Sequence, residues 1–290
     1  MNQLLILAVA GFVAQLIDGA LGMGYGVTST SMLLALGLAP AVVSASVHAG
    51  EVVTTLVSGI AHWRFGNVDP GIIWRLAIPG ALGAFVGAFF LAALPIEWAR
   101  PGVSAFLLVL GVVVLVRFLR PERARTGRVG VPTRRILAPL GLVAGFLDAA
   151  GGGGWGPVAT STLIARRGSD ARKVVGSVDA SEFLVALSAT VGFVLALGWQ
   201  AINLMWVAAI CLGGIFAAPL AAWAVRILPT QTLGLAVGAM ILVSNSRTIL
   251  SAAGIHVPVT LFLVIVALAL LLTFMSARFK KEPETDSAIR

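Results

Sequence analysis

Apolar runs at 41–63, 72–94, 101–119, 174–198, 203–226, 231–250 and 257–276 recur along the chain and decide what it can fold into. Each is about 19 to 25 residues, which as helix covers about 30 Å, the thickness of a bilayer's hydrocarbon core. In lipid a backbone N–H or C=O without a partner is costly, so runs of this length read as transmembrane helices. Composition agrees. With 59% hydrophobic and 11% charged residues in a chain of 290, there is too little polar surface to coat a soluble globule.

The formal net charge of +8 does not point to nucleic acid, because the basic residues lie between the apolar runs and form no groove-sized patch. They read as topology signals, and nucleic acid is excluded as a partner. Cys211 is the single cysteine and lies in an apolar run, so it offers no intrachain disulfide and no cysteine-rich metal site. It reads as a small packed side chain. The apolar N-terminus lacks a basic leading region and recurs within the chain, so it is expected to stay in the mature protein.

Two further segments are interrupted. Residues 3–38 are broken by GALGMGYG at 19–26, and 136–165 by AAGGGGWG at 149–156. Glycine at that density unwinds a helix. The flanking pieces are expected to be about 10 to 15 residues, or about 15 to 22 Å, short for a crossing. Each broken segment therefore reads as a helical hairpin that enters and returns, with two short tilted spans as the alternative.

The two breaks belong to an internal repeat. Aligning 11–33 with 141–163 matches Asp18 with Asp148, Thr30 with Thr160, Ser31 with Ser161 and Leu33 with Leu163, beside several glycines and alanines. After one inserted residue Ser46, Val47, Ala49 and Glu51 match Ser177, Val178, Ala180 and Glu182; further on, Gly80 matches Gly214 and Leu94-Pro95 matches Leu228-Pro229. The linker carries Arg117, Arg120, Arg123, Arg125, Arg128, Arg134 and Arg135, which marks it as cytoplasmic. Counting outward, Arg64, Arg75, Arg166, Arg167, Arg172, Lys173 and the C-terminal tail fall inside and the N-terminus outside. That works if each hairpin returns to its own side and three spans follow, so the copies are inverted.

The expected fold is thus an all-α polytopic membrane protein of two inverted repeats, each a glycine-broken hairpin plus three transmembrane helices, followed by one C-terminal transmembrane helix. Its parts are a first repeat 1–119, a basic linker 120–135, a second repeat 136–250, a transmembrane helix 251–276 and a cytoplasmic tail 277–290.

Asp18, Glu51, Asp148, Asp179 and Glu182 fall within apolar segments. An ionised side chain at the bilayer centre costs about 2.5 to 3.5 kcal/mol on insertion scales, so these five must be protonated, paired or beside a wet cavity. His48 and Glu51 stand three apart, as do Asp179 and Glu182, so each pair shares a helix face. These six are the candidates for proton coupling or gating; for His48 a packed interhelical donor is the alternative. Read as metal ligands, His48, Glu51, Asp179 and Glu182 have no defining spacing, so no metal and no cofactor is expected.

An anion can bind despite these acids where the helices restart, at about Gly26 and at Gly156-Pro157, because the first amides there lack intrahelical partners and carry the positive dipole end. Proline at a first helical position fits such a restart. The candidate substrate-binding residues are Gly22, Gly24, Tyr25, Gly26, Thr28, Thr30, Ser46, Gly152, Gly154, Trp155, Gly156, Thr160 and Ser177. Paired broken helices in two halves are the best sequence pointer to a transporter site, and close packing through small residues is the competing account. Tyr25 and Trp155 occupy equivalent places and could wall or plug the site. Arg247 sits near a span's end, where it could attract the anion or snorkel to the surface.

The paired broken segments with Asp18 and Asp148, the run Ser-Val-His-Ala-Gly-Glu at 46–51 matching Ser-Val-Asp-Ala-Ser-Glu at 177–182, and the glycine-spaced span 80–87 resemble the TauE/SafE sulfite exporter family, over about 4–275. The resemblance implies export of sulfite or a small organosulfonate such as sulfoacetate across the bacterial inner membrane without ATP hydrolysis. The function expected is a secondary transporter working by alternating access, with protons as the coupling candidate; a passive anion channel of the same architecture is the alternative. An enzyme is not expected: Asp18 and Asp148 precede their glycines, unlike the Gly-X-Gly-Asp of intramembrane aspartyl proteases. The partners expected are a small anion, the lipid bilayer and, as an open option, further copies of the chain.

Overall fold

The computed structural model describes residues 3–21, 23–119, 133–164, 166, 170–202, 204–224 and 230–255, and every regular element among them is helical. The first half comprises α1 Gln3–Leu21, α2 Tyr25–Ala35, α3 Pro40–Arg64, α4 Pro70–Ala93 and α5 Ile96–Leu119. The second comprises α6 Arg134–Gly151, a π-helical turn Gly156–Thr160 continuing into α7 Ser161–Ile164, α8 Ala171–Leu197, a short 3-10 turn Trp199–Ala201, α9 Leu204–Ala224 and α10 Thr230–Ala252. The apolar runs from 41–63 to 231–250 thus coincide with α3, α4, α5, α8, α9 and α10. The run 257–276, the tail 277–290 and the linker up to residue 132 lie outside the described residues.

Prolines open α3 and α4 at Pro40 and Pro70, where a missing N–H is harmless. Asp69 caps α4 by accepting from the Gly71 N–H at 2.8 Å. Pro40–Arg64, Pro70–Ala93, Ile96–Leu119 and Lys173–Leu197 are long and apolar enough to cross a membrane. The surface has the polarity of a membrane protein: Val57, Trp74, Leu82, Val86, Val109 and Phe216 are exposed, whereas Thr28, Ser31, His48, Glu51 and Asp148 are buried.

The broken segments differ from the expectation in one respect. Their first arms, α1 and α6, are 19 and 18 residues long, not 10 to 15, and only the second arms are short. The reason is that glycine alone does not end a helix. Gly11, Gly141 and Gly145 lie within helices and let a neighbouring backbone approach. Positive φ instead marks Gly24 (117°), just before α2, and Gly152 (72°) and Gly153 (137°), just after α6.

The halves interlock. α1 packs along α9, and α6 along the corresponding α4. The contact is reciprocal to the residue: a Cβ on Gly11 would strike the Ile210 carbonyl, and one on the matching Gly141 would strike the carbonyl of Leu76. Gly213, Gly83 and Gly87 likewise face the backbones of Ala8, Leu142 and Phe146. α3 and α8, equivalent in the repeat, run antiparallel: Gly59 lies against Ala180 while, further along α3 and beyond its end, His62 meets Asp179 and Asn67 meets Gly176. α5 and α10 also run antiparallel, with Gly111 on Ile241 and Leu115 on Gly238.

Candidate functional site

The interlocking brings the two glycine breaks into contact. A Cβ on Gly26 would lie 2.8 Å from the Gly153 Cα and 2.9 Å from Glu51 Oε1, and one on Gly156 would lie 3.0 Å from Met23 Cβ. Thr30 of α2 donates through Oγ1 to the carbonyl of Gly152, a hydrogen bond from one half to the break of the other. Only glycine at 26 and 153 lets the strands of backbone meet, and Gly153 also carries the left-handed φ that other residues avoid.

At each break an aspartate reaches across to the restarting helix. Asp148 Oδ1 accepts from the N–H groups of Gly154 (2.6 Å) and Trp155 (2.9 Å), and its repeat partner Asp18 accepts from the Tyr25 N–H at 3.3 Å. A carboxylate is the natural partner for amides at a helix's positive end. These three amides, read in the sequence as anion donors, are therefore engaged by carboxylates of the chain itself.

The other oxygen of Asp148, Oδ2, lies 3.2 Å from His48 Nε2, and Glu51 Oε2 lies 3.9 Å from the same nitrogen. His48 Nδ1 is 2.8 Å from the Ser44 carbonyl, which can only accept, so Nδ1 carries a proton and Nε2 is the ring atom turned to the acids. His48, Glu51 and Asp148 are all buried, and neither oxygen of Glu51 has a hydrogen-bond partner among the described residues. Asp18 and Glu182 lie within electrostatic range of this trio and of Asp179. Asp179 also approaches His62, at 3.9 Å.

The hydroxyls divide into two sets. Tyr25 Oη, Thr28 Oγ1, Ser29 Oγ and Thr160 Oγ1 are buried without a hydrogen-bond partner among the described residues. Ser46 and Ser177 are engaged: Ser46 donates to Val42 O at 2.8 Å, and Ser177 Oγ accepts from the Asp69 N–H at 2.7 Å, pinning the start of α4. Trp155 is fully buried, donates through Nε1 to Val178 O at 3.0 Å and packs against Gly80, which makes it an anchor in α8 and α4. Its counterpart Tyr25 reaches Gly50 with an unpartnered phenol. Gly22 lies outside the described residues.

Arg247 donates to Ala35 O at 3.0 Å, at the far end of α2 from the break, and Arg100 donates to Gly37 O at 2.5 Å beside it. These cations satisfy carbonyls at the negative end of α2. Two residues went unread in the sequence. Ser44 orients His48 and ties α3 to α6 by donating to Ala149 O at 2.8 Å; its spacing of four from His48 was the available signal. Asn245, fully buried, donates to Ser31 Oγ at 2.8 Å and joins α10 to α2; a lone amide in an apolar run marked it.

A polytopic helical protein with two broken segments crossed at a buried polar centre defines the class of membrane transporters. The family model for the sulfite exporter TauE/SafE matches residues 7–248, and the chain belongs to that family. It is 53% identical over 252 residues to the probable membrane transporter protein YtnM of Bacillus subtilis (strain 168), covering 87% of this chain and 84% of that protein. The probable membrane transporter protein YdhB of the same organism is 23% identical over 192 residues, 66% of this chain and 77% of that one. One solved structure aligns with 95% of this chain and 99% of its own at 20% identity, with a TM-score of 0.31 that carries no fold argument.

Proposed function

We propose that this multi-pass membrane protein is a secondary transporter that exports sulfite or a small organosulfonate across the inner membrane, with the N-terminus outside and the C-terminus cytoplasmic. The observation that carries the reading is the meeting of Gly26 with Gly153 beside the His48, Glu51 and Asp148 side chains. A site at the junction of two interlocked halves is what alternating access requires, because rocking one half against the other moves the barrier across it.

Five acids, of which Glu51, Asp148 and Asp179 are buried, would repel an anion if all were ionised. Protons on these acids while the anion passes keep the site neutral, which ties its movement to protonation. The anion is held by the unpartnered hydroxyls of Tyr25, Thr28 and Thr160, together with amides released when Asp18 or Asp148 lets go. Backbone contact between the breaks supports a carrier over an open pore.

The antiparallel courses of α3 with α8 and α5 with α10 support inversion of the two repeats. So does the grouping of ends: Arg100 and Arg247 converge on 35–37, on the side read as outside, while Asp69, Asn67, Gly176 and Ser177 converge on the side read as inside.

The test is flux of sulfite and of sulfoacetate in proteoliposomes under imposed proton gradients, for wild type and for Glu51→Gln and Glu182→Gln. Accumulation driven by the gradient, lost or made insensitive to pH in the variants, is expected. Flux that only follows the anion's own electrochemical gradient would identify a channel instead.

A further inference from the structure

We propose that His48, Glu51 and Asp148 form a binding site for a first-row divalent cation of the Zn2+ or Mn2+ type, at the crossing of the two halves. No such site was legible in the sequence, where the ligands considered were His48, Glu51, Asp179 and Glu182. The fold replaces the last two with Asp148, which comes from the other half and is a hundred residues away.

Geometry is the first support. One ligand atom from each residue lies within 4.8 Å of the others, and the edges from His48 Nε2 are 3.2 Å to Asp148 Oδ2 and 3.9 Å to Glu51 Oε2. A tetrahedral ion with bonds of about 2.1 Å sets its ligands about 3.4 Å apart, so small side-chain shifts close the set. Imidazole with two carboxylates is a donor set for Zn2+ or Mn2+.

Orientation is the second. A metal-ligating histidine holds its other N–H on a carbonyl or carboxylate, as His48 Nδ1 does on Ser44 O at 2.8 Å, which leaves the Nε2 lone pair for the ion. Asp148 is similarly steadied through its other oxygen by the N–H groups of Gly154 and Trp155. The independent sign of a ligand is Glu51: it is 1% exposed, both its oxygens lack hydrogen-bond partners among the described residues, and one points to the histidine nitrogen. With the imidazole neutral, three lone-pair donors face one another, and a cation between them makes their proximity favourable in place of a proton on Nε2. Two carboxylates balance a divalent charge, so the centre becomes neutral within the membrane. Asp18, Asp179 and Glu182 are then left to carry protons.

Three protein ligands leave a fourth position open, which an oxygen of a sulfite or sulfonate group can take. That last step rests on the transport reading; the cation itself does not.

The experiment is metal content by mass spectrometry on full-length protein purified in detergent, without chelators, from cells grown with added Zn2+ or Mn2+. Wild type should retain about one equivalent per chain, with His48→Gln and Glu51→Gln reduced about tenfold or more. Adding Zn2+ or Mn2+ to chelator-treated protein should raise the melting temperature of wild type and leave the variants unmoved, while Mg2+ and Ca2+ act on neither. Should the variants fail to fold, Co2+ loaded into wild type must show the visible absorption of a tetrahedral nitrogen-and-oxygen site. Wild type that retains no ion and shows no metal-dependent melting overturns the proposal, as does retention unchanged in both variants. Proton-driven flux surviving in metal-free protein would overturn the step in which the cation holds the anion and leave the transport reading standing.

Discussion

Asp148 holds two jobs with its two oxygens, one on the amides of Gly154 and Trp155 and one on His48. Replacement therefore separates them. Asp148→Asn retains an acceptor for the amides and should keep the melting temperature within a few degrees, while flux falls at least tenfold. Asp148→Leu leaves two buried amides without a partner, at about 1 to 3 kcal/mol each, and should cut folded yield as well as flux. Equal stability of the two variants would refute the bridging role; thermal melting in detergent beside a flux assay reads both. The pairing of Asp18 with Asp148 was legible because both stand in register before their glycines. Their targets were not, since those depend on the left-handed turn at Gly152 and Gly153, which no spacing rule displays.

Glycine marks the elements more than it breaks them. Gly141→Val places side-chain atoms on the Leu76 carbonyl and should part α6 from α4, and Gly11→Val should part α1 from α9 in the same way. Overpacking of this kind costs about 1 to 3 kcal/mol, so both variants should melt early and to a similar extent. Gly102→Ala meets open space in α5 and should gain slightly from helix propensity, which makes it the control on the same melting assay. Six long helices were readable from hydropathy, because lipid enforces both length and apolarity. The unequal arms were not, because Gly11 and Gly141 look the same in sequence as Gly24 and Gly152, and only a neighbouring backbone or a positive φ tells them apart. Trp155 is expected from the sequence to wall or plug the site. Its indole N–H on Val178 O makes it a tie between α7's approach and α8, so Trp155→Phe should lose about 1 kcal/mol of stability and little else.

At the scale of the molecule the arrangement of ends is testable by labelling. With Cys211 changed to Ala, single cysteines at Gly37 and Gly254 should react with a membrane-impermeant maleimide from outside intact cells. Those at Gly66 and Arg166 should react only after lysis. Any inner position labelled in intact cells would refute the inverted arrangement. The loop arginines carry the expected orientation that the labelling tests, whereas the pairing of α1 with α9 and α6 with α4 has no signal in the sequence, because apolar faces do not name their partners.

That cross-pairing has a consequence for biogenesis. When α1 leaves the ribosome, Ile210, the backbone it must receive, is still roughly 200 residues from being made, an interval of about 10 to 40 s at ordinary elongation rates. Through that interval its glycine face lies against lipid or a helper protein of the insertion machinery. The first half therefore enters the membrane as an unfinished surface, and the second half serves as its template for closure.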